Sequence, residues 1–165
     1  MENIFVEITI MISSTHFHAM VVHFPIALLM VGFLSEWISI YFNKDVFRQF
    51  AFYLLILGTL GTIVSYLAGR AAGEGMDEGA LNTAMELHEQ AATISLWVTI
   101  TTSLVYVAIY KHNYKKVWLR IIGLLFFTSV IGSIARTGYL GGQLVYKHGA
   151  GVELVLPDFS NQDEQ

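Results

Sequence analysis

AMVVHFPIALLMVGFLSEWISIYF, from Ala19 to Phe42, carries a single formal charge, Glu36. A helix needs about 20 mostly apolar residues to cross hydrocarbon roughly 30 Å thick, and this run supplies them. Three further runs do the same, at about Gln49–Gly69, Gln90–Tyr110 and Val117–Leu140. Together they account for a chain that is 55% apolar, only 13% charged and +0.57 in mean hydropathy. Those values lie well outside the average for soluble domains. The fold class that follows is all-α, an integral membrane four-helix bundle. One domain fills residues 1–165, with spans at about 19–42, 49–69, 84–110 and 117–140. An outer loop at 70–83 and a C-terminal tail at 149–165 lie outside the spans. Ile4–Ile12 is too short to cross, and is expected as a short N-terminal interfacial segment.

The connections are unequal in charge. Lys44 and Arg48 fall in the first, and Lys111, Lys115, Lys116 and Arg120 fall in or beside the third; these are six of the nine basic residues. The second connection and both termini hold most of the acids. The positive-inside rule then places the basic connections in the cytoplasm and both termini outside. In a double-membraned bacterium that is the periplasmic side of the inner membrane. Glu36, near the inner end of the first span, is expected to reach the cytoplasmic interface.

This topology gathers the histidines. His16, His18 and His23 precede or open the first span, His88 opens the third and His148 follows the fourth. Five of the six imidazoles therefore share the outer face, while His112 belongs to a basic loop. Thr83 and Glu86 match a capping box, which would start the third helix near Thr83 and place His88 about a turn inside it. Seven residues separate His16 from His23, so on an unbroken helix they share a face and His18 points elsewhere. Pro25 is tolerable in an early turn, yet it bends the turn that carries His23.

Two arginines approach the same level. Arg136 lies inside the fourth apolar run, where a guanidinium at the bilayer centre costs at least ~2.5 kcal/mol and needs a partner. Arg70 ends the second. Each either pairs with Glu74, Glu86 or Glu89 or anchors an anion such as a haem propionate. Glycines recur at 58, 61, 69 and 73 and again at 132, 138, 141 and 142. They serve either close helix packing or room for a flat macrocycle.

Several classes are excluded. Without cysteine there is no disulfide, no thiolate-held iron–sulfur cluster and no c-type haem attachment within the chain. A net charge of −4, with basic residues confined to short loops, excludes nucleic-acid binding. No nucleophile–base pair, phosphate loop or carboxylate dyad marks a stand-alone enzyme.

Two stretches carry a resemblance. VHFPIALLM, Val22–Met30, and LGGQLVYKHGAGV, Leu140–Val152, resemble the signatures of a bacterial family of four-span inner-membrane domains of unknown function. On that resemblance His18, His23 and His148 are family histidines, and His88 fits the histidine expected at the third span. The chain departs from the pattern at Ala19, where proline is usual. Members resemble stand-alone domains and the membrane portions of proteins fused to Rieske or c-type cytochrome domains. The resemblance thus implies electron transfer at the outer face.

The leading expectation is a b-type cytochrome-like protein holding one or two haem b groups through His18, His23, His88 and His148, with Arg70 and Arg136 beside them. Electrons would pass between quinol and a periplasmic cytochrome c or Rieske protein, with a quinone pocket near Trp97, Tyr66 or Tyr139. The alternative is a haem-free copper, zinc or iron site on the same four histidines, in a metal carrier, sensor or permease. A third reading is a structural subunit of a membrane complex. A homodimer is compatible with each.

Overall fold

The computed structural model describes residues 13–74, 80–111 and 116–152. Five helices account for nearly all of them: α1 (Ser14–Val21), α2 (His23–Phe42), α3 (Asp45–Gly73), α4 (Ala80–Lys111) and α5 (Val117–His148). Among the described residues there is no strand. α1 and α2 share one crossing, Ser14–Phe42, and each later helix makes one more. A helix of 29 residues is roughly 44 Å long, so each reaches beyond the hydrocarbon at both ends.

The helices run further than the apolar stretches alone. α3 begins at Asp45 and ends at Gly73, and α4 begins at Ala80, so the connection at 70–83 is shorter than expected. Thr83 is not the cap of the third helix but lies inside its first turn. The fourth helix continues past Leu140 to His148. The physical reason is common to all three: polar residues at the membrane surface still form good helix, and hydropathy marks only the part in lipid. Ile4–Ile12, His112 and the chain beyond Val152 lie outside the described residues.

The first crossing breaks where proline dictates. Pro25 has no N–H to give to Val21, and the regular helix is interrupted at Val22. Ser13 caps α1 by accepting the His16 N–H at 3.2 Å. Asn43 closes α2 in the left-handed conformation, φ 50°. Gly149, φ 66°, closes α5, with the Gly149 and Ala150 N–H groups bonding back to Val145 and Leu144 carbonyls at 3.0 Å. Gly151, φ 75°, then brings the chain back against Thr15 of α1.

α2 packs on α3 and on α5, and α4 packs on α3 and on α5. α1 leans on α3 and its own continuation. The core of the bundle is Leu29, Leu55, Tyr106, Phe127 and Val130. Polar hydroxyls are buried beside them: Ser35, Thr59, Ser65, Ser95, Thr99, Thr102 and Ser103. Large apolar side chains such as Leu57, Trp97, Leu104 and Leu125 point outward. In water that distribution would be unfavourable; in lipid it is the expected one, since outward apolar groups meet acyl chains and hydroxyls bond helix to helix. Thr59 and Ser103 join α3 to α4 at 2.6 Å, and Ser95 and Thr137 join α4 to α5 at 2.9 Å.

Candidate functional site

Two of the predicted histidines occupy matching positions. His18, on α1, sets its Nδ1 3.0 Å from the carbonyl oxygen of Ser65 on α3. His88, on α4, sets its Nδ1 3.2 Å from the carbonyl oxygen of Thr137 on α5. A carbonyl only accepts, so the hydrogen in each bond belongs to the ring, and in a neutral imidazole the lone pair is left at Nε2. Among the described residues neither Nε2 has a hydrogen-bond partner. This is how proteins orient an imidazole for iron or another metal: one nitrogen is held by backbone and the other presented.

The seat beneath each ring also repeats. A Cβ on Gly69 would stand 2.8 Å from His18 Cε1, and one on Gly141 would stand 3.1 Å from His88 Cε1. Each glycine lies four residues after the residue whose carbonyl holds the ring, one turn along the same face. Carbonyl, glycine and imidazole form one unit, built once by the first helical pair and once by the second. The two rings are half-buried and close enough for their charges to interact. They sit on diagonal crossings, the first and the third.

The other candidates stand apart. His23 folds its Nδ1 onto the Ala19 carbonyl of its own helix, at 2.7 Å, and is exposed. His16 is exposed as well, and His148 is the exposed last residue of α5. Arg70 and Arg136 are exposed and have no ion-pair partner among the described residues. Each is a sequence neighbour of the unit: Arg70 follows Gly69 and Arg136 precedes Thr137. Trp97 and Tyr139 are exposed, while Tyr66 bonds Thr93 at 3.2 Å. Among the described residues no group of three or more His, Asp or Glu is gathered as a metal ion would need.

Sequence reasoning missed Ser65 and Thr137. Their signal was a hydroxyl residue, three positions and a glycine, present in both the second and the fourth span. Glycines 69 and 141 make room for imidazoles, not for a macrocycle. Gly58 and Gly61 make room for Leu29 and Pro25, while Gly132, Gly138 and Gly142 face open space.

The class these features define is an all-α, four-helix membrane bundle with two backbone-held imidazoles at one end. The chain belongs to the DUF2231 family, described as a predicted membrane protein, whose model matches residues 15–154. No curated protein and no solved structure matches the chain.

Proposed function

We propose that the protein is a b-type cytochrome-like electron-transfer protein, with one haem b held between His18 and His88. The observation that carries this reading is the repeated unit: on two diagonal crossings an imidazole rests on a glycine, commits Nδ1 to a carbonyl and leaves Nε2 unpartnered. Haem bound there would supply a one-electron carrier, and His18 and His88 would be the residues that hold it through their Nε2 atoms.

The surrounding residues divide the remaining work. Ser65 and Thr137 fix the tautomer and the ring planes through their carbonyls, which also raises the basicity of the presented nitrogens. Arg70 and Arg136 offer guanidinium groups to the propionates. His23 and His148 are not ligands in this reading, so the haem count is one. The alternative of a haem-free copper, zinc or iron site is less well supported, because two paired imidazoles are fewer donors than the four a structural zinc site takes. By charge asymmetry the histidine end faces the periplasm, where a cytochrome c or Rieske protein would exchange electrons with it and quinol would deliver them from the bilayer.

Absorption spectra of the detergent-purified protein, oxidised and dithionite-reduced, test this directly. The expected result is a sharp reduced α band typical of six-coordinate b haem, unchanged by carbon monoxide because no axial position is open. A colourless protein expressed with haem available, or a spectrum that carbon monoxide shifts fully, would overturn it.

A further inference from the structure

The opposite end of the bundle holds a second polar site. Glu36, expected at the interface, is instead 2% exposed, and its Oε2 is buried without a hydrogen-bond partner. It shares a small chamber with Arg48, Phe52, Tyr106, Tyr110 and Arg120. Two more buried polar atoms are without partners there, the Tyr106 hydroxyl and Arg120 Nε. Arg120 does not close on the carboxyl: one terminal nitrogen donates to Ser39 Oγ at 2.8 Å and the other to Asn43 Oδ1 at 3.4 Å. Phe52 and Tyr110, stacked with ring centroids 4.5 Å apart, form one wall.

Of the four buried side-chain polar atoms without partners among the described residues, three meet in this one chamber and the fourth is Ser65 Oγ; such a concentration calls for an explanation. Their chemistry selects the occupant. Tyr106 O–H and Arg120 Nε–H donate, and Glu36 Oε2 accepts; one water satisfies all three, whereas an anion would leave the carboxyl oxygen facing a like charge. The free volume at the centre, about 10 Å³, is on the order of what one water requires. An organic head group has no room. The chamber lies beside the basic connections, with exposed Tyr110 at its edge.

We propose that this chamber is a proton-binding site, in which Glu36 takes up and releases a proton through one water held by Tyr106 and Arg120. The proton comes from the aqueous phase beside the basic connections. The held water passes the hydrogen it was donating to Oε2, where a new O–H bond forms as the water's own breaks, and it takes up the incoming proton from a hydronium ion, whose O–H bond breaks in turn. The water then accepts from the new O–H in place of the Tyr106 hydroxyl, and release reverses these movements. The charged and titratable groups that share the chamber with Glu36 are Arg48 from α3, Tyr106 and Tyr110 from α4 and Arg120 from α5. Histidine ligation plays no part in this, so the proposal stands or falls separately from the haem reading.

The test is pH-difference infrared spectroscopy of the protein in lipid nanodiscs. A carboxylic-acid carbonyl band that grows as pH falls and is absent in Glu36→Gln is the expected result. Tyr106→Phe keeps the band but moves its midpoint by on the order of one pH unit, a tenfold change in proton affinity, because the water loses one donor. Identical difference spectra for the wild type and Glu36→Gln would overturn the proposal. So would an unmoved midpoint in Tyr106→Phe, which decides the matter alone if Glu36→Gln does not fold. A band that responds to chloride and not to pH would assign the chamber to a small anion instead.

Discussion

A methyl group at position 69 has no room while the His18 ring stays in place, since the ring carbon lies 2.8 Å from where it would stand. Gly69→Ala gains about 1 kcal/mol of helix propensity. It loses a typical 1–3 kcal/mol to overpacking, and the ring must leave the Ser65 carbonyl as well. The expected outcome is a net loss of about 1 kcal/mol in thermal unfolding, with weakened cofactor retention. Gly141→Ala, with His88 at 3.1 Å, is expected to act in the same sense but less strongly. Gly138→Ala meets nothing within 4 Å and serves as the control: it gains the same helix propensity of about 1 kcal/mol in thermal unfolding and leaves cofactor retention unchanged. At this scale the sequence was only partly legible. The histidines and glycines stood out, because imidazole near hydrocarbon and glycine in a span are both conspicuous. Ser65 and Thr137 did not, because they act through carbonyls that every residue possesses.

Helices α1 and α2 owe their separation to Pro25, which also sits against Gly61 of α3, its Cβ 3.2 Å from where a glycine Cβ would stand. Pro25→Ala restores the missing N–H and is expected to join the two into one straight helix. That moves His18 off its seat, so cofactor affinity falls although intrinsic helix propensity rises; haem titration together with circular dichroism would show both. Gly58 is where the first two crossings press closest, with Leu29 atoms 2.6 and 2.7 Å from an added Cβ. Gly58→Ala is expected to destabilise the bundle by about 1–3 kcal/mol. The Thr59–Ser103 bond between α3 and α4 is worth about 0.6 kcal/mol as an interhelical bond in lipid, and a double-mutant cycle measures that coupling. Element positions were readable from hydropathy, yet their ends were not. Asp45, Ala80 and the turn before His148 are helical for backbone reasons that an apolar window does not register.

At the scale of the whole molecule, the charges set an expected direction, with the basic connections in the cytoplasm. The chain contains no cysteine, so single cysteines report sidedness without a background. Cysteine at Lys111, beside the basic connections, is expected to react with an impermeant maleimide only after the membrane is opened. Cysteine at Val152, past the last helix, is expected to react in intact spheroplasts. Reaction of both from the same side would overturn the four-span arrangement. The bundle class was legible because the bilayer imposes a length rule on every span. The burial of Glu36 was not. A lone acid near the end of an apolar run reads as snorkelling, and only the fold reveals Arg48, Tyr106 and Arg120 arriving from three other helices.

The central claim is that His18 and His88, and not the other histidines, hold the cofactor. Haem content per chain, by pyridine haemochrome assay, should be measured on the wild type and on four purified variants: His18→Ala, His23→Ala, His88→Ala and His148→Ala. One haem in the wild type, retained in the His23 and His148 variants and lost or reduced to a weakly bound five-coordinate form in the other two, is the result this account requires. Full haem content in either His18→Ala or His88→Ala, or none in the wild type, would contradict it.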